Sequence, residues 1–259
     1  MKNLQKNFSH VFNGKIWNIE SEVNGDYLII EVRDEDSFET SFFVYHPGST
    51  EELSDPILLE ESWWTGITHV AGQTILFHIF KDTENPEDKK YQAVNIRSSE
   101  VVWEISDISF TEYGLNFVKG IKDNRSITIN IQNGNEANKK ILTDTAKNNY
   151  LYYPFHYTPK SGHHHTVHSF LSSIGMNSDN SYGIDYFEMK DLVIISFYYK
   201  GKGLENRLIV LNQARQIMLD EILGTNLKGI ADRSFFIYRD SLIFVQEHSD
   251  FFSYQLSQP

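Results

Sequence analysis

The sequence contains no cysteine, only 6 prolines in 259 residues and no long apolar run. The missing cysteines exclude a disulfide scaffold, a thiolate-bound zinc or iron–sulfur centre and a thiol nucleophile. A helical membrane span needs about 20 consecutive apolar residues, and none is present. Bases are scarce beside acids: 23 Lys and Arg stand against 35 Asp and Glu, a formal charge of -12. A nucleic-acid binder needs a basic footprint for phosphate, so that class of partner is set aside. In residues 1–17, Leu4, Phe8, Val11 and Phe12 are separated by polar residues, which is not the pattern of a secretory signal. A cytoplasmic protein without membrane association is expected.

What is abundant is aromatic: 18 Phe, 14 Tyr and 4 Trp. Aromatic and β-branched residues suit the pleated surface of a strand, so the composition favours an all-β chain. An apolar content of 40% argues against disorder. No Pro/Gly/Ser-rich linker divides the sequence, and residues 1–259 read as a single domain.

One unit recurs along the chain: an apolar run, a polar turn and a second strand. Leu28-Ile29-Ile30-Glu31-Val32 leads to Phe42-Phe43-Val44-Tyr45, and the run Ile75 to Phe80 leads to the run Tyr91 to Ile96. Leu115 to Val118 is followed by Ile127 to Ile131, Leu192 to Phe197 by Leu208 to Leu211, and Leu242 to Val245 by Phe251 to Leu256. These are signals for antiparallel hairpins. Gly66-Ile67, Asp107-Ile108, Gly183-Ile184 and Gly229-Ile230, with a looser Gly14-Lys15-Ile16, precede them as starts of inner strands. The segment from Ala93 to Ile105 aligns without a gap on that from Val210 to Ile222, each supplying a third strand, a turn and a fourth strand. Four strands repeating about every 40–50 residues is the period of a β-propeller blade.

The last hairpin runs to the C-terminus with no fourth strand behind it, and residues 4–12 are unassigned. The economical solution is a ring in which the N-terminal strand closes the last blade. In the long gap between 107 and 183, Val167, Phe170, Leu171 and Ile174 are spaced as one helix face. With Ser161 as N-cap and Gly175 after the C-cap, they predict an inserted helix at about 162–174. The expectation is therefore an all-β, five-bladed β-propeller with one short inserted helix and N-terminal closure.

The eleven residues from Ala93 to Trp103 resemble the outer hairpin of quinoprotein-type propeller repeats, with Asn95 in place of Asp and Ser98-Ser99 in place of Thr-Gly. On a larger scale, Gly14-Lys15-Ile16-Trp17, Glu31-Val32-Arg33-Asp34, Trp63-Trp64-Thr65-Gly66, Tyr153-Pro154-Phe155-His156-Tyr157 and Ser196-Phe197-Tyr198-Tyr199 follow in order. In these motifs the chain is similar to an uncharacterised bacterial family of unknown function. That resemblance implies a propeller-like fold and no activity.

Candidate functional residues are of three kinds. Glu31, His78 and Ser196 occupy the same place in three second strands, each a polar group in an apolar run. Such positions line a wet channel or pair between blades, and a carboxylate, an imidazole and a hydroxyl also invite a hydrolase reading; hydrogen bonding to neighbouring backbone is preferred, because no nucleophile elbow surrounds Ser196. Arg33, Asp34, Trp63, Trp64, Tyr153, His156, Tyr157 and Tyr199 stand near strand ends, where aromatic and charged side chains can hold a sugar, a peptide or a ring. His164 and His168 are i, i+4 on the helix and could share a metal, but they are placed on its polar face, and no metal is favoured. The sequence thus supports a non-enzymatic binding or scaffolding module with no cofactor, taking an unknown protein or small polar ligand. The alternative is a hydrolase or lyase acting on a small polar or sugar-like substrate at the ring centre.

Overall fold

A computed structural model describes residues 4–60, 62–82, 84–137, 150–176 and 181–256. The chain divides into two compact units, Asn13–Asn149 and Met1–Phe12 with Tyr150–Pro259. The first strand, β1 (Gln5–Val11), belongs to the second of these.

The unit 13–149 holds three antiparallel sheets in chain order. The first is β2 (Lys15–Ser21), β3 (Leu28–Asp34), β4 (Glu39–Tyr45) and β5 (Ile57–Leu58). A 3-10 turn, Ser62–Trp64, leads into the second: β6 (Thr65–Ala71), β7 (Thr74–Phe80), β8 (Lys89–Asn95) and β9 (Val101–Ser106). The third is β10 (Ser109–Tyr113), β11 (Phe117–Lys122) and β12 (Arg125–Asn130). Each sheet is a meander in which sequence neighbours pair. The second strands read as unbroken apolar runs because both their faces are covered. Phe42 and Val44 share one core with Ile75 and Phe77. Leu76, on the opposite face of β7, packs with Ile108, just before β10, and with Val118 and Ile129 of the third sheet.

In all three sheets the inner strand carries a one-residue bulge against the second strand, at Trp17, at Thr68 and at Thr111. A bulge leaves one residue without a pairing partner and re-aims its side chain. The turns after the third strands also share a design. The side-chain oxygens of Asn95 and Asn130 accept backbone N–H groups two residues on, at 2.9 Å each. In the second unit, the Asn212 side-chain oxygen accepts the N–H of Gln216, four residues on, at 2.9 Å.

The second unit holds two sheets of five strands. In chain order it adds β13 (Leu151–Tyr152), β14 (Phe155–Tyr157), the helix α1 (Gly162–Ser173), β15 (Gly183–Met189), β16 (Leu192–Lys200), β17 (Leu204–Asn212) and β18 (Ile217–Gly224). The final strands are β19 (Phe235–Tyr238), β20 (Ser241–Gln246) and β21 (Asp250–Gln255). One sheet runs β14-β15-β16-β17-β18 and the other β1-β21-β20-β19-β13. β1 pairs antiparallel with β21 from Gln5↔Gln255 to Val11↔Asp250, so the N-terminal strand completes the last sheet. These five antiparallel meanders are propeller blades, the fold class expected. The gap after residue 107 contributes two edge strands and a helix to existing sheets, and the described residues form no sixth one.

Two local expectations need correction. Gly229-Ile230 starts no strand; the inner strand of the last blade begins at Phe235, and residues 229–234 form a connection. The aromatic stretch 150–157 is extended and enters two sheets. It supplies β13 to one sheet and β14 to the other, with Pro154 between them. The other correction is that His164 does not lie on the polar face of α1. His164, Val167 and Leu171 are the buried residues of that helix, because i, i+3, i+7 is one face. Val167 and Leu171 pack on Ile184, Ile195 and Phe197, so α1 covers one face of its sheet. Ser161 caps the helix through its side chain, and Gly175 follows its end at φ +77°. No helix among the described residues is long and apolar enough to cross a membrane.

Candidate functional site

The residues singled out from the sequence fall into two sets, one in each unit. In the unit 13–149, Glu31 and Arg33 project from the same face of β3, two residues apart. Glu31 is 2% exposed, and Arg33 Nε donates to its Oε1 at 2.8 Å. Burial pushes the Glu31 carboxyl above the usual carboxylate range, opposed by the hydrogen bond and charge of Arg33 and by the Ile67 N–H. The other guanidinium nitrogens reach the carbonyl oxygens of Trp63 and Thr65, both at 3.4 Å. Trp17, re-aimed by its bulge, lies with its ring 4.8 Å from the guanidinium carbon, and the Trp63 ring lies at 5.6 Å. Arg33 is thus a pinned wall between two indoles.

Around this wall the aromatic surface is open. Phe38 meets Trp63 edge-on at 5.2 Å. Phe38, Trp17 and Trp64 are 64%, 63% and 48% exposed. Arg33, Trp63, Trp64, Phe80, Asp82 and Pro86 line a cleft of about 260 Å³. Asp34 faces its own turn, where the Asp36 N–H holds its carboxyl below the ordinary value. His78 stands behind the cleft, its Nδ1 2.9 Å from Oγ1 of the bulged Thr68. Burial first, then the Lys89 and Arg33 charges, push its imidazole down to about 4.

In the second unit, Ser196 is fully buried and donates to Asn206 Oδ1 at 2.6 Å. Glu31, His78 and Ser196 therefore each have a partner in their own sheet. Tyr199 donates to Glu205 at 2.6 Å, and burial is the largest cause of its phenol rising to about 12. Tyr153 carries the guanidinium of Arg233 4.6 Å above its ring. Tyr157 stacks on His163 at 5.2 Å and lines a cleft of about 350 Å³ between α1 and the sheet. His164 Nε2 is 2.9 Å from Ser181 Oγ, and its ring stacks with that of His168. Burial, then the neighbouring His168 and His165, lower the His164 imidazole. Among the described residues no group of three or more His, Cys, Asp or Glu could hold a metal ion. His156 faces Asp185 across the β14–β15 pairing, Nδ1 to Oδ1 at 2.7 Å.

The sequence reading misses Trp17, Phe38, Phe80 and Asp82 at the first set and Asp185 at the second. Trp17 stands beside the marker Gly14-Lys15-Ile16, and Asp185 follows Gly183-Ile184 directly. A Trp or an acid next to an inner-strand start is the signal that was available.

Residues 22–103 match the family described as Domain of unknown function (DUF4905). The matched segment holds Glu31-Val32-Arg33-Asp34 and Trp63-Trp64-Thr65-Gly66, and hence most of the cleft. No curated protein matches the chain. Among solved structures, the β-propeller domain of the Trilobed protease from Pyrococcus furiosus is similar over 93% of this chain and 82% of its own, at 12% identity and a TM-score of 0.33. The Dos1 propeller is similar over 93% of this chain and 54% of its own, at 12% identity and a TM-score of 0.29. The AfRom2 CNH domain is similar over 96% and 82%, at 7% identity and a TM-score of 0.28.

Proposed function

We propose that the chain is a binding module, and that the Trp64 cleft receives a cationic side chain of a protein partner in the cytoplasm. The observation that carries this reading is the state of Arg33. Its hydrogen bonds go to Glu31, Trp63 and Thr65 within the protein, so it serves as scaffold and leaves indole faces to meet the ligand. Exposed indoles held rigid bind cations well, because the ring face is electron-rich and little ordering is needed. One flanking turn has the complementary sign, with Asp34, Glu35, Asp36 and Glu39; the other nearly balances, with Asp82, Glu84, Glu87 and Asp88 against Lys81, Lys89 and Lys90. Phe80 already carries such a contact, with Lys89 Nζ 5.0 Å above its ring. A cleft of about 260 Å³ suits one side chain better than a large cofactor.

The test is a tryptophan-fluorescence titration with an octalysine peptide, with octaglutamate as control. Octalysine should change the emission saturably and bind more weakly at high salt, and Trp64→Ala should remove the change without altering the melting temperature. Unchanged emission with octalysine, or equal binding by Trp64→Ala, defeats the proposal.

A further inference from the structure

A second site lies at the edge of the sheet β14-β15-β16-β17-β18, in the other compact unit. We infer that His156 is a general base, oriented by Asp185, that hydrolyses small uncharged esters with water.

The geometry begins with the carboxylate. Asp185 is 1% exposed, and both its oxygens are used as acceptors. Oδ1 faces His156 Nδ1 at 2.7 Å. Oδ2 accepts the Ser234 N–H at 2.8 Å and the Ser234 hydroxyl at 2.7 Å. A carboxylate so engaged cannot donate, so the imidazole proton sits on Nδ1 and the lone pair on Nε2. The His156 side chain is 26% exposed, and among the described residues Nε2 has no hydrogen bond. Access to that nitrogen is kept by Gly183. A Cβ at that position would lie 3.1 Å from His156 Cε1, 3.5 Å from Nε2 and 3.1 Å from Ile230 Cγ2. Gly183 therefore leaves room along the ring edge that carries the lone pair, with Ile230 as its apolar wall.

The surrounding charges select the substrate. Asp185 stands behind the ring, and Asp232, paired loosely with Arg233 at 3.8 Å, is in the connection that carries Ile230. Tyr198, opposite Gly183, accepts the Ala231 N–H, and burial first of all keeps its phenol above the ordinary value, hence neutral. The buried Asp185 carboxylate behind the ring disfavours an anion, and the apolar wall favours a small neutral acyl group.

In the reaction, Nε2 takes a proton from water as the water oxygen bonds to the ester carbonyl carbon. The tetrahedral adduct collapses with cleavage of the carbon–alkoxy bond. The leaving oxygen recovers the proton from Nε2, giving one acid and one alcohol. His156 is the catalytic residue in this scheme, and Asp185 and Ser234 are positioning residues.

The experiment follows p-nitrophenyl acetate hydrolysis by the full chain from about pH 5 to 9. The wild type should exceed free histidine at ten equivalents, the chain's own histidine content. His156→Gln should lose on the order of 100-fold. Asp185→Asn should lose about tenfold and shift the pH profile, which a purely structural residue would not do. A wild type no faster than free histidine, or a His156→Gln variant at the wild-type rate, overturns the inference. If either variant fails to fold, the 15N–1H spectrum of the wild-type imidazoles decides: a proton on Nε2 of His156 overturns the assignment, and one on Nδ1 supports it.

Discussion

Arg33 and Glu31 form an ion pair at 2.7 Å in which the carboxylate is almost wholly buried and the guanidinium is stacked on Trp17. Such a pair contributes little over apolar residues of the same size, but breaking it strands a charge. Arg33→Ala should lower the unfolding free energy by roughly 3–5 kcal/mol, measured by urea denaturation. Adding Glu31→Gln to that variant should restore part of the loss, because a neutral amide is cheaper to bury. A double variant as weak as the sum of the single ones would show that the two residues do not act together.

The bulged Thr68 and His78 make the molecule sensitive to acid. The His78 imidazole is displaced from 6.5 to about 4, chiefly by burial. Between those values the unfolded chain takes up a proton that the folded chain refuses, so stability is whole above 6.5 and is lost as the pH falls towards 4. His46, His69 and His164 are displaced in the same direction, each first by burial. Thermal melts should therefore drop steadily below about pH 6.5. His78→Gln keeps a polar partner for Thr68 and cannot take up the proton. It should remove roughly 2 kcal/mol of the acid loss and flatten the curve. An unchanged slope would mean that His78 is already wet in the folded state.

The blades were legible because a strand covered on both faces must be apolar throughout. Runs such as Leu28-Ile29-Ile30 and Leu192-Val193-Ile194-Ile195 therefore announce themselves. The turn asparagines are legible too, since Asn95 and Asn212 fall on one another when the two segments are aligned. The sites were harder to see. A period of two assumes no bulge, so the inner-strand pattern gives no sign that Trp17 is swung over Arg33. β13 and β14 are two and three residues long. At that length an aromatic stretch has no periodicity to read. Asp185 and Ser234 are 49 positions apart, and only the β15–β19 neighbourhood joins them.

Two glycines with positive φ separate backbone strain from crowding. Gly48 has φ +75° and nothing within 4 Å of a Cβ, whereas Gly134 has φ +73° and the Trp103 side chain at 2.6 Å. Trp103 is fixed there by its indole N–H, which donates to the Ile131 carbonyl at 2.8 Å. Gly48→Ala should cost about 1 kcal/mol, the strain of the left-handed backbone alone. Gly134→Ala should cost roughly 1–3 kcal/mol more, because the indole has to move out of a packed position. Equal losses in urea denaturation would show that Trp103 shifts freely.

The N-terminal strand gives the strictest test of the last blade. Most β1 side chains are exposed, so the strand is not held by its own apolar face. Its hold comes from the ladder to β21, from Leu4 against the core around Phe244, and from Phe12, which is 5% exposed and donates its N–H to Ser249. Phe12→Ala should cost about 3–5 kcal/mol by the usual measure of a buried ring. Removing residues 1–12 should do more, because it also bares the β21 edge, and a bare edge invites pairing with other chains. The truncated protein should melt in one transition at lower temperature and form oligomers visible by light scattering. If it instead remains monomeric with the melting temperature of the full chain, β1 decorates the blade without closing it, and the β20–β21 hairpin is stable on its own.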